Sequence, residues 1–207
     1  MEFVPYPKTP RLKRSVVITE KIDGTNAQIV ITKPDQINEF VVDRLDREGI
    51  AKSADGSTWM HVGSRNRWIT PGKLTDNFGF AQWCLDNSDE LFKLGEGRHF
   101  GEWYGQGIGR GYGLTERRFA LFNTARWGAH NPGTPACCEV VPVLSFGISH
   151  ETMQDPDSQI DALRLWGSIA VPGFMNPEGV IVYHSASKQN YKVLLENDDI
   201  PKGLVTS

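Results

Sequence analysis

Cysteine is scarce in this chain: 207 residues carry three, Cys84 and the neighbours Cys137 and Cys138. Their spacing fits neither a zinc-ligand pattern nor a disulfide framework, so they are expected to be reduced and buried. Long apolar runs are missing too. No stretch approaches the length of a membrane span, and the N-terminus lacks the apolar segment of a signal peptide, so the expectation is a soluble, cytoplasmic protein with no membrane partner. Charge of one sign is not in excess either: the formal net charge is −3. That argues against a broad, non-specific nucleic-acid coat and leaves room for a local basic groove. Basic residues do cluster, at Lys8, Arg11, Lys13 and Arg14, at Arg65 and Arg67, and at Arg117 and Arg118. With no repeat, low-complexity tract or linker, residues 1–207 are expected to form one compact domain. Pro5, Pro7 and Pro10 exclude a regular helix near the start and suggest an extended arm over residues 6–13.

What is present is a series of short β-branched and aromatic runs. Strands are expected at 16–19, 27–32, 39–43, 98–104, 118–124, 137–143, 179–184 and 190–195. One helix is expected from Thr75 or Asp76 to Lys93, with Phe78, Ala81, Leu85 and Phe92 on its apolar side. A second opens with Asp155 as cap and Pro156 in the first turn, places Ile160, Leu163 and Trp166 on one side, and stops at Gly167. Strands fall in clusters rather than alternating with helices. That favours an α+β fold of largely antiparallel sheets with flanking helices over a doubly wound parallel one.

Three sites carry polar chemistry in apolar surroundings. Lys21 ends a Val/Ile strand beside an Asp23-Gly24 turn, and alternation puts Lys21 and Asp23 on one face with Glu20 and Ile22 on the other. Taken alone, such a lysine beside an Asp-Gly turn is more often a surface ion pair. Glu102 interrupts the aromatic strand His99-Phe-Gly-Glu-Trp-Tyr-Gly105 and needs a cation, hydroxyl or metal if buried, or water if it lies on an edge. The glycines that follow, at 105, 107, 109, 111 and 113, let backbone approach a phosphate or another chain segment, though their spacing matches neither common phosphate-loop pattern. Glu178 stands at the mouth of the apolar run Val180-Ile-Val-Tyr183. Lys188 and Lys192 frame the last strand, where lysines also serve to blunt an edge.

In order, these elements resemble the motifs of the lysine-dependent nucleotidyltransferase superfamily of DNA ligases, RNA ligases and capping enzymes. Glu20-Lys21-Ile22-Asp23-Gly24 is similar to its nucleophile motif, Gly63-Ser64-Arg65 to the arginine motif, and Phe100-Gly101-Glu102 to the first glutamate motif. Phe119-Ala-Leu-Phe-Asn123 is similar to the aromatic motif, Glu178-Gly179-Val180 to the second glutamate motif, and Tyr191-Lys192-Val193 to the closing lysine motif. Within the superfamily, Glu-Lys-Ile-Asp-Gly-Thr-Asn26 and Gly-Glu-Trp-Tyr-Gly-Gln-Gly-Ile108 look most like phage-type RNA ligases that seal nicks in duplex RNA. The implied fold is an ATP-grasp-like nucleotidyltransferase domain.

The resemblance implies an ATP-dependent RNA ligase of the kind used in RNA repair. Lys21 would attack the α-phosphate of ATP, release pyrophosphate and carry AMP as a phosphoramidate, before AMP passes to an RNA 5′-phosphate and a 3′-hydroxyl displaces it. An ordinary lysine amine is protonated at neutral pH, and Asp23, Glu102 and Glu178 would keep it so, hence a need for Mg2+ or Mn2+ held by those three carboxylates. Phe122 would stack on adenine, and Glu20 or nearby backbone would read the base edge. Ile22 and Gly24 would line the nucleotide, Glu102 would meet the ribose, and Arg65 the nucleotide or RNA end. Lys192 would contact the α-phosphate.

Two departures from the family pattern accompany this. The closing motif usually has two lysines one residue apart, whereas Asn190 or Leu194 stands beside Lys192, so either Lys188 substitutes or Lys192 does both jobs. The sequence ends soon after Lys192, which suggests a nearly minimal catalytic domain without a C-terminal oligonucleotide-binding barrel or helical domain. An accessory protein or RNA-binding partner would then take over that role on RNA ends or nicked duplexes. A DNA ligase or other nucleotidyltransferase, and a non-ligating nucleotide- or RNA-end-binding module of the same fold, are the alternative readings.

Overall fold

A computed structural model describes residues 2–33, 49–128, 130–148, 155–196 and 198. They divide into two compact units, one formed by the described residues of 1–22 and 142–207 and the other by those of 23–141. The strand expected at 39–43 lies outside the described residues.

In the first unit, β1 (Ser15–Lys21), β9 (Val143–Ile148), β10 (Gly179–His184) and β11 (Gln189–Leu194) form a four-stranded sheet in the order β11-β10-β1-β9. All its pairings are antiparallel. Burial alternates along β1, so that Val16, Ile18 and Glu20 are buried. Ile18 and Val180 pack with Ile160 and Leu163 of the helix Pro156–Trp166, together with Leu144, Val182 and Val193. That helix starts where local chemistry dictates, with the Asp155 carboxylate accepting the Asp157 N–H and proline at N1. Trp166 does not join Ile160 and Leu163: it closes the last turn and is 71% exposed.

The second unit holds β2 (Thr25–Thr32), β3 (Ala51–Lys52), β4 (Trp59–Ser64), β5 (Trp68–Ile69), β6 (Gly97–Gly105), β7 (Arg117–Leu121) and β8 (Cys138–Val140). The sheet order is β3-β4-β2-β6-β7-β8, with β5 also pairing β4, and only β7–β8 is parallel. Ala27, Ile29 and Ile31 face its core, where Phe80, Trp83, Trp103 and Phe119 form an aromatic cluster with ring centroids 5.0–6.0 Å apart. Burying each such ring contributes roughly 1.5–3 kcal/mol, which makes this cluster the anchor of β6 and β7.

Two expected elements are divided. The long helix becomes α1 (Phe80–Asp86), α2 (Ser88–Leu91) and a 3-10 turn (Phe92–Leu94). Phe78 and Gly79 take left-handed backbone angles ahead of α1. Asp76 reaches across them, its carboxylate accepting N–H bonds from Asn77, Ala81 and Gln82. The cap therefore acts from four residues upstream of Phe80, and the side turned to the core is Phe80, Ala81 and Cys84, while Phe78 and Leu85 are exposed. The strand expected at 137–143 is likewise split into β8 and β9 around Pro142, which has no N–H to give a ladder. All three cysteines are free, with Cys84 buried and Cys137 and Cys138 half-buried. No helix among the described residues is long and apolar enough to cross a membrane.

Candidate active site

In the first unit, β1 delivers two neighbouring charged residues to opposite faces of the sheet. Glu20 turns inward and is 1% exposed. Its carboxylate accepts the Ser168 hydroxyl at 2.5 Å and the Ile169 and Ala170 N–H groups at 2.8 and 2.9 Å. These donors belong to the loop that leaves the helix Pro156–Trp166, and the Ser168 hydroxyl also accepts the Val171 N–H. Three donors offset the desolvation of the buried charge. Glu20 is thus consumed inside the protein rather than offered to a base edge, which leaves the backbone alternative for that role. Ile22, 4% exposed, is likewise buried.

Lys21 points the other way. Its Nζ donates to Glu178 Oε2 at 2.5 Å, with both side chains about one-fifth exposed. The contact follows from register: Lys21 lies opposite Gly179, so the residue that precedes β10 reaches the end of β1. Lys192 stands on β11 opposite Ile181, which in turn lies opposite Thr19. Thr19 and Lys21 alternate onto the same face, so Lys192 projects from the face of the nucleophile candidate. Lys188 does not. It occupies the β10–β11 turn with φ 55° and donates its N–H to the His184 carbonyl. His184 is five residues from Gly179, roughly 17 Å along a strand. That register sets Lys188 at the opposite end of β10 from the end of β1 that carries Lys21.

In the second unit, Asp23 is held by the glycine-rich loop. Its N–H donates to Tyr112 Oη at 2.8 Å, while its Oδ2 accepts the Arg110 N–H at 3.0 Å and lies 3.6 Å from Arg110 Nε. Gly109 makes this possible, since a Cβ there would stand 2.8 Å from the carboxylate and its φ is +50°. The loop's glycines thus serve a close approach to another segment of the same chain. Glu102 of β6 lies opposite Asn26 and Ala120, and its Oε1 accepts the Gly24 N–H at 3.2 Å. Phe122 follows β7 directly across from Phe100, to whose carbonyl its N–H donates, and its ring is 39% exposed. Arg65 is exposed just beyond β4.

The basic pair at 117–118 is structural. Arg117 donates to the Gln106 and Phe78 carbonyls, and Arg118 pairs with Glu116 and Glu139. Glu139 also accepts the Tyr104 hydroxyl, and burial together with that carboxylate pushes the Tyr104 phenol far up. Tyr104 packs edge-on against Tyr112, 5.4 Å between centroids. Sequence reasoning did not single out Tyr112, Arg110 or Ser168; the alternation of glycine with Arg110 and Tyr112 in that loop was the one available signal. No group of three or more acidic, histidine or cysteine side chains among the described residues is arranged to cage a metal ion.

A family model described as RNA ligase matches residues 14–194. No curated protein matches in sequence. Among solved structures, a Naegleria gruberi RNA ligase mutant with ATP and Mn is similar at 14% identity and a TM-score of 0.54, over 93% of this chain and 53% of that one. An apo mutant of that organism's RNA ligase matches at 19% identity and TM-score 0.51, over 89% and 50%. A third, with AMP and Mn, matches at 16% and TM-score 0.50, over 88% and 50%. The chain spans about half the length of these proteins, and the likeness establishes a shared fold of mixed α+β type.

Proposed function

This chain belongs to the RNA ligase family, and from that premise we propose that it is an ATP-dependent RNA ligase whose nucleophile is Lys21, acting within residues 1–207 as one adenylyltransferase domain. The observation that carries the reading is the placing of Lys21, held through Nζ by Glu178 at 2.5 Å on the face from which Lys192 projects. A lysine that attacks phosphorus must first lose a proton, and the Glu178 carboxylate paired with it favours the protonated form, so a cation that neutralised that carboxylate would free the amine. The Nζ–P bond forms as the bond from the α-phosphorus to the bridging oxygen breaks, with pyrophosphate leaving. Lys192, an exposed cation on the same face, offsets the charge that accumulates on the α-phosphate oxygens.

The second unit, taken by itself, carries groups suited to a nucleotide. Phe122 offers a half-exposed ring for adenine, and Glu102 a carboxylate for the ribose hydroxyls. The Gly24 N–H fixes Glu102, and the glycine-rich loop fixes Asp23, so both carboxylates are oriented before ligand arrives. Arg65 is available to a phosphate. Asp23 and Glu102 of the second unit, and Glu178 of the first, would each offer a hard oxygen donor of the kind that magnesium or manganese takes. When bound, that ion would neutralise carboxylate and phosphate charge. The Naegleria structures solved with ATP or AMP and Mn support the choice of ligands.

The test is covalent labelling. Incubated with α-labelled ATP and magnesium, the protein should carry label through a denaturing gel, and Lys21→Ala should carry none. Absence of label, or label that survives Lys21→Ala, overturns the proposal. Sealing of nicked duplexes then tests substrate: a protein that joins all-DNA nicks as fast as RNA ones is not an RNA ligase.

A further inference from the structure

The sheet of the second unit carries a row of flat groups that, Phe122 apart, the assignments above do not use. On the face opposite its core, Phe122 lies across from Phe100, Phe100 across from Gln28, Gln28 across from Gly63, and Gly63 across from Trp68. Gly63 leaves room there: a Cβ would come within 3.1 Å of the Gln28 side chain. Arg98, next on this face of β6, lays its guanidinium 5.6 Å from the Trp68 centroid and 5.9 Å from that of Phe100. It also donates to Gln28 Oε1, and Gln28 Nε2 donates to the Ser64 carbonyl at 3.3 Å. Indole, guanidinium, carboxamide and phenyl are thereby held side by side across four strands, about 14 Å at ordinary strand spacing.

This arrangement leaves its flat groups partly open to solvent. Arg98 is exposed, and Phe100 leaves 44% of its surface to water. A guanidinium between two half-exposed rings presents a cationic, flat surface, suited to a ligand that has both a π-face and negative charge. Phosphate alone would not need the rings, and an apolar peptide would not need the cation. Arg65, exposed at the end of the neighbouring strand, adds a second positive charge.

We propose that Trp68, Arg98 and Phe100 form a stacking platform for an unpaired base of the RNA strand, placed beside Phe122 on the same sheet face. The inference rests on the RNA ligase reading and adds to it a contact with an unpaired base of the RNA strand. Stacking selects a base's π-face rather than its hydrogen-bonding edge, so the platform tolerates any base.

Binding of a hexauridylate to the full chain, without ATP, tests this. Trp68→Ala and Arg98→Ala should each weaken binding roughly 5- to 100-fold, the range for loss of one stacked base, and Trp68→Phe should retain most of the affinity. Trp68→Ala should leave the salt dependence unchanged, because no phosphate contact is lost. Abasic substitution, scanned along the hexamer, should weaken wild-type binding at one position and have no effect there on Trp68→Ala. The platform is refuted by a wild type that does not bind, by Trp68→Ala binding as tightly as wild type, or by equal losses on intact and abasic strands. Lys21 labelling of the same preparation separates the two ideas: label without a Trp68 effect sinks the platform alone, and a Trp68-dependent binder that never labels sinks the ligase reading.

Discussion

Replacing Glu20 should damage the protein more than any exposed charge does. The wild-type carboxylate, 1% exposed, accepts three bonds, from Ser168 Oγ and the Ile169 and Ala170 amides. Glu20→Ala strands three donors, each worth about 1–3 kcal/mol when left unsatisfied. Against that stands the relief of no longer burying a charge, several kcal/mol in the same environment. The remainder is a destabilisation of about 3–4 kcal/mol, in the range found when one partner of a buried charged set is removed. Glu20→Gln keeps one oxygen acceptor and should cost about half as much, and Ser168→Ala, which removes the donor to Glu20 and the acceptor of the Val171 N–H, about 2 kcal/mol. Urea unfolding gives the total. Amide exchange localises it: at 3–4 kcal/mol the Ile169 and Ala170 protons should exchange on the order of a hundred times faster or more in Glu20→Ala. A Glu20→Ala protein within 1 kcal/mol of wild type, with those two amides still protected, would show that the carboxylate does not hold the loop.

Other outcomes follow from the same geometry. His61 is 2% exposed with no hydrogen-bond partner for either ring nitrogen, and burial pushes it below the ordinary 6.5. His99 is pushed down as well, chiefly by burial. The unfolded chain then binds more protons, so stability should be complete above about pH 6.5 and fall as pH drops through it; urea midpoints at pH 7.5 and 5 measure this, and His61→Leu should reduce the slope. Gly109→Ala should cost about 1–3 kcal/mol through its positive φ and its clash with the Asp23 carboxylate, read as a lower melting temperature and weaker Lys21 labelling. Lys192→Ala should depress labelling at least tenfold while Lys188→Ala, set at the far turn, leaves it unchanged; the reverse order would contradict the β10–β11 register.

The residues by themselves determined what depends on near neighbours and on motif order. Alternation along β1 and β2 was legible because a strand's period is two, and the start of the helix at Pro156 because Asp155 and Pro156 act within one turn. The ordered motifs from Lys21 to Lys192 point to the family without reference to the fold. Tertiary structure decided partners distant along the chain. Glu20 finds Ser168 148 residues away, and Asp23 finds Arg110 87 residues away. Register, not composition, separates Lys192 from Lys188, and the Asp76 carboxylate reaches forward to Ala81 and Gln82 of a helix that starts at Phe80, later than periodicity placed it. A hydrogen bond between distant residues forms only where strand pairing and loop closure bring donor to acceptor, and no local pattern in the residues encodes that meeting.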